Sequence, residues 1–73
     1  MSSDPILLQF GQRVKSLRRD AALSQEELAD HAEMHRTYLS GVERGERNIS
    51  LINLVRLAHA LKTSPSQLME GII

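Results

Sequence analysis

The chain has 73 residues, which makes one domain near the lower size limit for independent folding, with roughly 60% of its surface available for burial. It contains no cysteine, which excludes a disulfide frame and a thiolate metal site and leaves association with a second copy as the natural extra source of stability. Nine basic residues balance nine acidic ones, so no whole-molecule field draws the chain toward a polyanion. No segment approaches the roughly 18 apolar residues of a membrane span, and residues 1–9 lack a basic stretch ahead of their short apolar patch. The expectation is a soluble, cytoplasmic protein with no membrane attachment. Charge is nevertheless segregated along the chain. Arg13, Lys15, Arg18 and Arg19 form a basic run, and Glu26, Glu27, Asp30 and Glu33 an acidic one. This pattern fits a binder that places its charges accurately, and it fits an ordinary solvated surface equally well.

No segment alternates with period two, so the expected class is all-α. Ile6, Leu7, Phe10, Val14 and Leu17 recur at three- and four-residue steps and predict a first amphipathic helix over about residues 4–20. Asp4-Pro5 supplies its cap and first-turn proline. Ser24 opens the next helix, with Glu27 three residues on as the second half of a capping box, and Leu28, Ala29 and Ala32 facing inward. A third helix is expected from His35 or Arg36, burying Leu39 and Val42 and ending at Gly45. Ser50 caps a fourth, with Leu51, Leu54, Leu57, Ala58 and Leu61 on its inner face. Ser64, Pro65 and Gln67 open a short fifth helix, with another capping box, that runs through Leu68 and Met69. The five helices make a compact bundle in one domain over residues 1–73. Leu68, Met69, Ile72 and Ile73 are expected to form an apolar end, over about residues 64–73, that a second copy would cover.

Residues 23–48 carry the most functional information. On the third helix, Leu39 and Val42 set the buried side, so Arg36, Thr37, Ser40, Gly41 and Arg44 are expected opposite. Arg can donate two hydrogen bonds to guanine O6 and N7, and Thr presents a methyl suited to the thymine methyl. Gly41 costs about 1 kcal/mol relative to Ala in a helix interior, which close approach to DNA would explain. A solvated face with one Arg and one Thr is the competing description. Gln25, at the start of the second helix, suits a phosphate clamp or a plain helix start. Arg47 and Asn48 suit a phosphate grip or simple turn chemistry. Tyr38 can reach the DNA backbone or a base, or can merely pack.

The stretch LSQEELADHAEMHRTYLSGVERGERNISLINLVRLAHAL resembles the helix-turn-helix domain of the Xre and phage-repressor family. Within it, HRTYLSGVERGERNISLINL is similar to the controller proteins of restriction–modification systems, and the likeness spans about residues 10–68. The resemblance implies a five-helix, lambda-repressor-like bundle whose third helix enters the major groove of double-stranded DNA. It also implies homodimers on pseudo-palindromic operators, and contact with RNA polymerase when the protein activates. By position, Arg36 and Thr37 would meet bases. Gln25, Tyr38, Ser40, Arg47 and Asn48 would make mainly backbone or mixed contacts, and Arg18 would pair with Glu43. The helix wheel agrees on that pair, since Arg18 adjoins Leu17 and Glu43 adjoins Val42. The sequence departs from the family at Glu33 and Ala22, where glycine is usual. Both places commonly require positive φ.

An enzyme would need converging acids, bases or nucleophiles. His31 and His35 are four apart, with Asp30 and Glu33 nearby, but a turn at Glu33 would put them on different helices. Capping accounts for Ser24, Ser50 and Ser64. We therefore expect no enzyme activity, metal or cofactor. The rival expectation is an antitoxin or prophage-type regulator whose apolar C-terminal surface takes a partner protein.

Overall fold

The computed structural model describes residues 4–72. Its elements are α1 (Pro5–Asp20), α2 (Gln25–His31), α3 (Arg36–Glu43), α4 (Leu51–Ala60) and α5 (Pro65–Leu68), with no strand among the described residues. Each start has a local cause. Asp4 Oδ1 accepts the Ile6 N–H at 2.9 Å, ahead of the first-turn Pro5. Ser24 Oγ accepts the Glu27 N–H at 3.0 Å and Glu27 Oε1 accepts the Ser24 N–H at 2.9 Å, a complete capping box. Ser50 and Ser64 cap α4 and α5 through the N–H groups of Asn53 and Gln67. The box expected at Ser64 closes on one side only, because the Gln67 side-chain oxygen accepts the Thr63 hydroxyl instead, at 2.7 Å. α3 differs from the others: His35 stands at its N-cap with no side-chain hydrogen bond to the first turn.

Four helices end alike. After α1, α2, α3 and α4, the residue beyond the C-cap takes a positive φ: Ala22 at 59°, Glu33 at 59°, Gly45 at 77° and Lys62 at 57°. Two backbone bonds close each end, as in Leu23 N–H to Arg18 O (3.1 Å) with Ala22 N–H to Arg19 O (2.9 Å). The same pair recurs at Met34 and Glu33, at Glu46 and Gly45, and at Thr63 and Lys62. This is the Schellman ending, which satisfies terminal carbonyls and reverses the chain within two residues. Leu23 and Met34, the residues following the first two left-handed positions, pack against the core and fix each turn by burial as well. The turn between α2 and α3 therefore keeps the left-handed conformation although Glu33 occupies it.

The core draws on every helix. Phe10 and Val14 of α1 meet Leu28, Ala29 and Ala32 from α2 and its end, Leu39 and Val42 of α3, Leu57 and Ala58 of α4, and Leu68 of α5. α1 lies against α3, α2 against α3 and α4, and α5 bridges α4 and α1. The α1–α3 crossing is close because Gly11 faces α3 backbone: a methyl there would stand 2.5 Å from Val42 O and 2.6 Å from Glu43 O. Arg13 ties the same helix to α5, donating to the Gln67 carbonyl at 2.7 and 3.2 Å and approaching Glu70 at 3.5 Å.

Three apolar positions depart from the sequence expectation. Ile6 and Leu51 are 47% and 77% exposed, because each lies in the first turn of its helix and overhangs the core. Leu68, expected on the apolar outer end, is wholly buried in the monomer and has no surface to offer a second chain. Met69 remains exposed at 38% and Ile72 is half-buried, while Ile73 lies outside the described residues.

Candidate nucleic-acid interface

α2, its two-residue reversal and α3 form a rigid pair. α3 is anchored from beneath by Leu39 and Val42, both essentially inaccessible, and from the side by Glu43. Arg18 meets Glu43 in a bidentate pair, Nε to Oε2 at 2.7 Å and Nη2 to Oε1 at 3.0 Å. The remaining Arg18 nitrogen donates to Leu23 O at 2.9 Å. Hydrogen bonding to Glu43, opposed by desolvation and aided by the carboxylate's charge, raises the Arg18 guanidinium above its already high ordinary value. Gln25 Nε2 also donates to Glu43 Oε1, at 2.9 Å. One carboxylate thus joins the end of α1, the start of α2 and the end of α3. Among the described residues no buried side-chain polar atom lacks a partner, so the network is fully satisfied.

Above this anchor stands the exposed tip of α3. Arg36 and Thr37 are both exposed in the first turn, beside the uncapped helix start at His35. Neither Arg36 nor Arg47 is held in an ion pair among the described residues. Arg44, further along, donates to the Ser40 hydroxyl and to Glu46 Oε1, the latter at 3.1 Å. The Arg44 bond holds the Glu46 carboxyl below the usual carboxylate range and raises Arg44 in turn. Arg44 is therefore committed within its own surface, and the half-buried Ser40 is engaged as an acceptor. Tyr38 is half-buried with the Arg47 guanidinium carbon 5.9 Å from its ring centroid, within cation–π range. Asn48 is exposed in the loop that follows.

One assignment changes here, and one side chain gains an internal partner. Gly41, expected to face outward with Arg36 and Thr37, is buried, and what covers it is the side chain of Arg47. Gln25 does not extend freely into solvent but is tied by one amide N–H to Glu43, which leaves its other N–H and its carbonyl. Sequence reasoning missed the Gln25–Glu43 bond and the Arg47–Tyr38 contact, because both depend on where separate elements come to rest. His31 ends α2 and His35 begins α3, on either side of the turn. Among the described residues no group of three or more His, Asp or Glu gathers into a metal site. Among the described residues no helix is long and apolar enough to cross a membrane.

Comparison with known proteins agrees with this geometry. A helix-turn-helix family model matches residues 14–68. The control protein C.BamHI of Bacillus amyloliquefaciens is 44% identical over 66 residues, 89% of this chain and 82% of that protein. The control protein C.SmaI of Serratia marcescens is 48% identical over 60 residues, 82% of this chain and 71% of its own length. Among solved structures, the restriction–modification controller protein C.AhdI of Aeromonas hydrophila superposes with a TM-score of 0.84 at 50% identity, covering 85% of this chain and 94% of that one. The chain belongs to the helix-turn-helix family of DNA-binding regulators, a family without enzymatic activity. Within that family it resembles the controller proteins of restriction–modification systems in both sequence and structure.

Proposed function

We propose that the protein is a cytoplasmic, homodimeric controller of a restriction–modification system that binds a pseudo-palindromic operator with α3 in the major groove. The observation that carries this reading is the exposed Arg36–Thr37 tip, set on a helix whose other side is locked by the Arg18–Glu43–Gln25 network. Arg36 reads guanine through two donors, and Thr37 meets a thymine methyl. Gln25, with its second amide N–H, and the backbone at the start of α2 face phosphate, and Arg47, Tyr38 and Asn48 hold the track beyond. Ser40 contributes a mixed contact through its hydroxyl.

Association is supported by apolar surface that a monomer leaves wet. Leu51 and Ile52 in the first turn of α4 are 77% and 66% exposed, and Met69 is exposed beyond α5. A symmetric pair would set its two recognition helices about 34 Å apart, one turn of B-DNA. When the bound operator lies beside a promoter, RNA polymerase is the partner that activation requires. Selection of bound sequences from a random DNA pool tests the reading directly. A two-fold symmetric consensus with half-sites one helical turn apart is expected, and recovery of no common sequence overturns it.

A further inference from the structure

Gly41 occupies the interior of α3, where alanine would favour the helix, and it has an ordinary helical backbone. Neither propensity nor positive φ explains a glycine there. Its surroundings do. A methyl at Gly41 would stand 2.8 Å from Cγ of Arg47, 3.3 Å from its Nε and 3.6 Å from its Cδ. The stem of Arg47 therefore lies in the notch that the absent side chain leaves, and cannot stay there once the notch is filled. Three residues earlier on the same helix face, Tyr38 receives the guanidinium over its ring at 5.9 Å.

We infer that Gly41 is a positioning residue for DNA binding: its empty side-chain position is a seat that holds the Arg47 stem across α3, with the Tyr38 ring as the clasp. The inference rests on the proposed role of Arg47 as a DNA contact. A loop arginine has many rotamers, and ordering it at the moment of binding weakens affinity. Seating it beforehand places its charge beside the recognition helix before DNA arrives. The alternative use of a glycine here, close approach of DNA to the α3 backbone, has a different signature. In that case a methyl obstructs DNA whether or not Arg47 is present.

The test compares Gly41→Ala, Arg47→Ala and the double variant in the intact protein. Affinity is measured for a duplex selected by the wild-type protein and for a duplex of unrelated sequence. In the free protein, Gly41→Ala is expected to hold or raise the melting temperature and to abolish the ring-current shift of the Arg47 side-chain protons in NMR spectra. Tyr38 is the only tyrosine, and with no tryptophan in the chain that assignment is simple. Gly41→Ala should weaken binding to both duplexes by about two- to tenfold, the scale of one rotamer-rich side chain left unordered. Added to Arg47→Ala, it should weaken binding no further. The proposal is overturned if Arg47→Ala weakens binding but Gly41→Ala does not, or if Gly41→Ala costs the same with and without Arg47. Wild-type binding by Arg47→Ala instead removes the interface reading of Arg47, and the seat retains no role in binding.

Discussion

Glu43 shows how much one side chain can hold together. It is 7% exposed and receives two hydrogen bonds from Arg18 and one from Gln25. Removing it leaves a buried guanidinium with only the Leu23 carbonyl, so Glu43→Ala should destabilise the fold by about 3–5 kcal/mol. Glu46→Ala breaks a pair whose members are both more than half exposed and should cost little. Thermal or urea unfolding of the two variants checks the contrast, and equal midpoints would contradict it. Glycine gives a second contrast at this scale. Gly11→Ala drives a methyl into the backbone of α3 and should destabilise by about 1–3 kcal/mol, where Gly41→Ala meets only a side chain that can swing away. At the tip, Arg36→Ala should cost about 1–3 kcal/mol of operator binding and relax base preference at one position, measured against a set of single-base operator variants. The Arg18–Glu43 pair was legible through the family resemblance, and the helix wheel agreed because each residue adjoins the buried stripe of its own helix. The cover over Gly41 was not, since a helix wheel describes one helix and the cover comes from the loop beyond it.

The elements are governed by how they begin and end. Three left-handed positions are held by Ala22, Glu33 and Lys62, where a Cβ costs about 1–2 kcal/mol relative to an unstrained backbone. Glycine at each would relieve that strain but enlarge the freedom of the unfolded chain by about 0.4–1 kcal/mol. A net gain of about 0.5–1 kcal/mol per site is expected, adding across sites on separate turns, and urea midpoints measure it. The first two positions could be recognised because glycine is usual there. Lys62 gave no such signal, although the two-residue gap between Leu61 and the Ser64 cap demands an equally abrupt reversal. Periodicity and capping signals together placed all five helices, but periodicity overstated Ile6 and Leu51, because it identifies a face without saying where the core beneath it stops. The cap of α2 also carries a pH dependence. Bonds from the Ser24 backbone and side chain lower the Glu27 carboxyl below its ordinary value. Its contribution is therefore present above the ordinary glutamate range and fades as pH falls through the lowered folded value. Glu27→Gln can still close the box, so melting curves against pH should show a shallower acid limb for that variant.

For the whole molecule, the proposed dimer would cover the wet apolar residues on α4 and beyond α5. The melting temperature should rise with protein concentration, as it does when native copies bind one another. Ile52→Lys should remove that dependence and shift sedimentation toward the monomer while leaving helical content intact, since Ile52 is 66% exposed and outside the core. The apolar end was half legible in sequence. Burial of Leu68 depended on how α5 docks against α1 and α4, and four residues of helix carry too little pattern to reveal that.

The internal pairing of charges bears on how such a protein would find its site. Arg13, Arg18 and Arg44 are engaged with Glu70, Glu43 and Glu46, and the net charge is zero. The six cations outside these pairs are matched by six other carboxylates, so no net field draws the chain onto a duplex, and encounters with unrelated DNA should be weak and brief. The protein would then reach its operator by repeated collision from solution rather than by long travel along the helix. Its occupancy would follow its free concentration closely, a property suited to a regulator whose own abundance is the signal.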